Sequence, residues 1–121
     1  MSFVALWLGV GILGGFGALA RFLLDGLVSA NTDTRFPLGT LVVNLSGAFV
    51  LGLLVGLALG ADAYLLAGTA VIGSYTTFST WMLESHRLAE DGRRLLFAVN
   101  IALSLFAGVG AAALGQLLGG G

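Results

Sequence analysis

The segment Gly73–Trp81, read as GSYTTFSTW, carries six hydroxyl side chains among the seven residues from Ser74 to Thr80, inside an otherwise apolar chain. Hydroxyls of Ser and Thr compete with the helical ladder for backbone partners. Gly73 adds an entropic cost to helix, and the β-branched Thr76 and Thr77 lose rotamer freedom in one. The pattern predicts a helix that breaks between about Gly73 and Thr77. A break frees carbonyl oxygens, which is tolerable at membrane depth only where something satisfies them. A small hard cation, a second protein chain and ordered water all meet that need. Phe78 and Trp81, three residues apart, share a face where helix resumes. Such a pair serves either as lipid-facing packing or as ring edges whose positive rim meets an anion.

Other polar residues stand where hydrocarbon is expected: Arg21, Thr40, Asn44, Ser46, Thr69, Asn100 and Ser104. Each is costly in lipid unless it faces protein, a partner or water, so each is a candidate site residue. Arg21 either snorkels to the headgroups or sets a positive charge at the mouth of a pathway. Asn44 bonds another helix or something passing by. Asn100 and Ser104 lie four apart, hence on one helical face, which Gly108 extends. No Asp or Glu lies deep in an apolar stretch, since Glu84 falls at the end of one. Donors without carboxylates suit an anion better than a cation. Cysteine is absent, which removes thiolate chemistry and Cys-based metal sites, and the only histidine, His86, sits among charged residues. No enzymatic constellation is assembled from this inventory.

The elements that must hold these residues follow from composition. The chain has 121 residues, 58% hydrophobic and only 9% charged, where a soluble domain carries about a quarter charged. Its mean hydropathy is +1.04. This is the composition of one all-α integral membrane domain covering residues 1–121. A span needs about 20 mostly apolar residues, and four candidates run over about 3–24, 38–59, 64–83 and 95–118. The first is read as a retained helix and not as a cleaved signal peptide. The net charge of −1 and the lack of a basic run argue against nucleic acid. Small residues four apart (Gly11 and Gly15; Gly52, Gly56 and Gly60; Gly115 and Gly119) let helices approach closely. Four short spans enclose too little volume to shield a polar pathway, so an oligomer is expected. All the cations, Arg21, Arg35, Arg87, Arg93 and Arg94, gather toward one side, which favours both termini outside.

Three stretches, GGFGALARF (14–22), GTLVVNLSGAFVLG (39–52) and GTAVIGSYTTFSTWMLE (68–84), make the chain resemble the small fluoride ion channels of the Fluc/CrcB family. The resemblance covers all four spans. It implies a passive channel that exports fluoride across the cell membrane, built as an antiparallel dual-topology dimer with two narrow pores at the interface. It further implies that Arg21 lines an electropositive vestibule and that Asn44 donates its amide to the ion. The edge of Phe78 would contact fluoride, and Trp81 holds the place of a second ring that is usually Phe. Thr77, Ser79 and Thr80 fall in the same motif, while Ser104, with Asn100 where Tyr often stands, continues a polar track. Backbone carbonyls of Gly73 and Thr76, doubled by the dimer two-fold, would hold a structural sodium in a third helix broken mid-membrane. Tyr75 stands where a small or apolar residue is usual.

Two readings from other classes accompany this one. A proton-coupled exporter of small molecules would need the buried carboxylate that the spans lack. A non-conducting membrane scaffold would use the polar groups only as helix glue. An antiparallel homodimer also works best with near-zero cation bias, so the partner is either a second copy or an oppositely oriented homologue.

Overall fold

A computed structural model describes residues 2–31 and 36–121, with the side chain of Ser79 excepted. Arg35 therefore lies outside the described residues. Every described element is helical: α1 (Phe3–Ala30), α2 (Leu38–Gly56), α3 (Ala61–Tyr64), a π-helical segment (Leu65–Ile72), α4 (Gly73–Tyr75), α5 (Phe78–Glu90) and α6 (Arg94–Leu118). Three of these, α1, α2 and α6, are long and apolar enough to cross a membrane. The region expected as the third span is instead a succession of shorter helical pieces.

Helix α1 is 28 residues, about 42 Å at 1.5 Å per residue, and outruns its apolar stretch. The hydroxyl of Ser2 caps it by accepting from Ala5 N at 3.2 Å. Beyond Leu24 it is carried on by polar residues, with Ser29 Oγ donating to Asp25 Oδ1 at 3.4 Å and Asn31 Nδ2 to Leu27 O at 2.8 Å. Arg21 thus sits well inside the helix and not near its end.

Glycines set the closest helix approaches. A Cβ at Gly52 would collide with Ala112 O, and one at Gly115 with Phe49 O, so α2 and α6 run parallel with their backbones in contact. Gly56 and Gly119 continue the same seam, and Gly17 brings α1 against the backbone of Val71. Gly11, Gly15 and Gly60, by contrast, face open space.

The interior is inverted relative to a water-soluble protein. Thr40, Ser85 and Asn100 are buried, while Phe16, Phe22, Leu95, Phe106 and Val109 are exposed. That distribution suits hydrocarbon as the surrounding solvent. The C-terminal part of α1 and the N-terminus of α2 lie at one end of the bundle with the α5–α6 turn. Gly92, at φ 75°, makes the latter turn in the left-handed region that glycine adopts without cost.

Candidate functional site

Within the third apolar stretch, residues 64–83, the chain departs from helix at two residues. Thr76 (φ −77°, ψ 161°) and Thr77 (φ −147°, ψ 120°) are extended, between α4 and α5. Gly73, at φ −61° and ψ −37°, is helical, so the glycine itself is not where the chain leaves the ladder. The wider turns of the π-helical segment lie just upstream, and such segments recur at functional positions.

The side chain of Asn44 supplies the reason the interruption falls at Thr77. Asn44 Nδ2 donates to Thr77 O at 3.0 Å, and Thr77 N donates to Asn44 Oδ1 at 2.9 Å. One amide on α2 therefore satisfies both backbone groups of the extended residue, as a neighbouring β-strand would. Thr77 Oγ1 then caps α5 by accepting from Thr80 N at 3.2 Å. Thr76 Oγ1 turns back to Ile72 O at 3.1 Å.

These diversions affect two particular carbonyls. In an unbroken helix, Thr77 N–H would close on Gly73 O and Thr80 N–H on Thr76 O. Asn44 takes the first donor and Thr77 Oγ1 takes the second. The carbonyls of Gly73 and Thr76 thus lose their ordinary helical partners, as an oxygen-coordinated cation would require. Two carbonyls are too few for the coordination shell of a hard cation.

Asn44, Gly73, Thr76, Thr77, Phe78 and Trp81 line one open groove of about 440 Å³, which Gly47, Ala48 and Gly68 also line. Phe78 projects, 69% exposed, and meets Trp81 edge-on, with centroids 5.5 Å apart and planes at 62°. Gly47 lets Thr76 and Tyr75 pack onto α2. Tyr75 is held there by Ser46, Oγ to OH 2.8 Å.

The remaining candidates separate into other places. Asn100 and Ser104 lie on α6, and Asn100 Nδ2 donates to Ser85 Oγ of α5 at 2.7 Å. Arg21 is half-buried on α1 and is not part of the groove. Thr80 is half-buried in the first turn of α5, and Ser79 belongs to the same turn, its side chain outside the described residues.

Sequence reading missed two long-range pairs. Thr40 Oγ1 donates to a carboxylate oxygen of Glu84, which is half-buried. Burial pushes the Glu84 carboxyl above the ordinary carboxylate range, against the Thr40 hydrogen bond, with Asp25 adding to the rise and Arg87 opposing it. Ser85, buried completely, bridges α5 to Asn100. Nothing local marks either pair, since the partners are 44 and 15 residues apart. At that end of the bundle Pro37, Glu84, Arg87, Asp91 and Arg93 surround a pocket of about 350 Å³ of mixed charge.

The family described as CrcB-like protein, Camphor Resistance (CrcB), matches residues 8–116. A protein of Mycolicibacterium paratuberculosis named fluoride-specific ion channel FluC 2 is 54% identical over 118 residues, covering 98% of this chain and 97% of its own length. A protein of the same name from Mycobacterium tuberculosis is 53% identical over 113 residues, covering 93% and 90%. Fluoride-specific ion channel FluC 1 of Leifsonia xyli is 44% identical over 117 residues, covering 93% and 85%.

Proposed function

Because the chain belongs to the CrcB family, whose members are ion channels and not enzymes, we propose that it is a fluoride-selective passive channel exporting fluoride across the cell membrane. The observation that carries the reading is the interruption at Thr76–Thr77, clamped by Asn44 and flanked by the exposed ring of Phe78 in one groove. Fluoride is small and strongly hydrated, so its passage needs donors that replace water without a fixed charge that would trap it. Asn44 has a second amide hydrogen beyond the one given to Thr77. The rim of Phe78, the indole of Trp81 and the hydroxyls of Thr77, Ser79, Thr80 and Ser104 extend the set, with Asn100 on the same seam as Ser104. Arg21 raises the local anion concentration from the vestibule.

In this reading the interruption lies at mid-membrane depth in a third span of about residues 64–83, completed by a second chain. An exposed Phe78 beside unpaired backbone is a poor surface to offer lipid. An antiparallel partner covers it and makes two pores at the interface. The partner is a second copy, or, given that every cation lies toward one side, an oppositely oriented homologue. The two-fold also doubles the carbonyls of Gly73 and Thr76 to four oxygens. That donor set fits a structural sodium, whose role would be to tie the two interruptions together. Fluoride efflux from liposomes, followed with a fluoride electrode, tests the channel function.

A further inference from the structure

Two grooves flank α2 where the interruption crosses it. Asn44, Gly47 and Ala48 line one, together with Thr76 and Thr77. Ser46 and Val50 line the other, an apolar groove of about 440 Å³ that Tyr75, Phe16 and Val71 share. Residues two apart on a helix point about 200° from each other, so Asn44 and Ser46 stand on opposite sides of α2. The chain therefore lies astride this helix, with Tyr75 reaching down one side and Thr77 down the other. Gly47 is the seat between them, where a Cβ would strike Thr76 Cγ2 and crowd the ring of Tyr75. Each side is fastened. Asn44 takes both backbone groups of Thr77, and on the far side Tyr75 OH and Ser46 Oγ are 2.8 Å apart. Ser46 Oγ gives its single hydrogen to Val43 O at 3.0 Å, so the phenol is the donor.

Resting on the sodium reading above, we propose that Tyr75 is a positioning residue for that cation: its hydroxyl, anchored on Ser46, fixes where the Thr76 carbonyl oxygen stands. Thr76 O and Thr77 N–H belong to one trans peptide and point in opposite directions. Asn44 Oδ1, by accepting from Thr77 N–H at 2.9 Å, thus aims the Thr76 oxygen away from itself. One hydrogen bond still lets the peptide swing about its own axis. The other end is held through Thr76, whose N–H and Oγ1 both close on Ile72 O, at 2.9 and 3.1 Å. These bonds tie Thr76 only to the last turn of the broken helix, the three residues of α4. The Tyr75 hydroxyl bonds that turn to α2 and so removes the swing. A cation shared with a second chain needs its oxygens at set distances, and a drifting carbonyl weakens its binding.

Melting of the protein in detergent, titrated with sodium chloride against N-methylglucamine chloride at constant ionic strength, tests this role. Stabilisation by a ligand grows with ln(1 + [L]/Kd), so the titration returns Kd for sodium apart from the stability without it. Tyr75→Phe, which keeps the ring and loses the hydroxyl, should raise that Kd about fivefold, the effect of one neutral hydrogen bond. Ser46→Ala removes the same bond from its other end and should raise Kd equally, and the double variant should raise it no further. A bond that serves packing alone lowers the melting temperature in the absence of sodium and leaves Kd where it was. That result overturns the proposal, as does a double variant whose Kd rises by the product of the two single effects. A parent protein indifferent to sodium removes the cation and this role together, while the channel reading is judged by fluoride efflux alone.

Discussion

The side-chain amide of Asn44 and the backbone of Thr77 form a closed pair of hydrogen bonds, at 3.0 Å and 2.9 Å, that joins α2 to the one described interruption between α4 and α5. The pair makes Asn44 a structural clamp as well as a pore candidate. Asn44→Ala leaves both backbone groups of Thr77 unsatisfied, at about 1–3 kcal/mol for each. Asn44→Asp keeps an acceptor for Thr77 N–H but sets a carboxylate against Thr77 O. Both variants should melt well below the parent in detergent. An Asn44→Ala protein as stable as the parent would show that the clamp contributes nothing.

The glycines divide by what their faces meet. Gly52 and Gly115 sit where any Cβ strikes the backbone of the facing helix. Gly52→Val or Gly115→Val should destabilise the fold by at least the ~1–3 kcal/mol typical of overpacking, because backbone cannot rotate away as a side chain can. Gly11→Ala and Gly15→Ala meet nothing in the single chain and should leave its melting unchanged. Equal effects from the two groups would contradict the packing described for α2 and α6.

Much of this arrangement was legible in the sequence, and the failures have physical causes. Hydropathy locates apolar stretches because transfer to lipid depends on side chains. It ended the first at Leu24, yet α1 continues to Ala30, since a helical ladder closes as readily around Asp25 and Ser29. Gly73 drew attention as the weak point by propensity, but the chain leaves helix at Thr76 and Thr77. Asn44, 33 residues away, is what rewards the extended backbone there. The Gly11–Gly15 spacing matched Gly52–Gly56, and only three-dimensional neighbours distinguish an open face from a packed one. Thr40–Glu84 and Ser85–Asn100 were invisible for the same reason.

If sodium bridges the carbonyls of Gly73 and Thr76 across a dimer, its removal should loosen the assembly. A ligand at a hundredfold excess over its dissociation constant stabilises the state it binds by about 2.7 kcal/mol. Exchange of sodium for N-methylglucamine should lower the melting temperature of the dimer by several degrees, and sodium alone should restore it. Melting curves indifferent to the cation would remove the ion from the account.

Among the described residues, Arg21 stands in the C-terminal half of α1, and Arg87, Arg93 and Arg94 lie at or near the α5–α6 turn, while the turn between α2 and α3 has neither Lys nor Arg. Tag accessibility in cells that express this chain alone should therefore report one orientation, with both termini outside. That result identifies an oppositely biased homologue as the natural partner. Equal populations of both orientations would identify the partner as a second copy.

Efflux from liposomes measures selective conduction of fluoride past Phe78 directly. Reconstituted protein, supplied with its partner if it inserts in a single orientation, should release fluoride down its gradient with chloride retained. Phe78→Ile should slow that release at least about tenfold, a loss near 1.4 kcal/mol, while the dimer still assembles. Release of chloride as fast as fluoride, or of neither ion, would contradict the account.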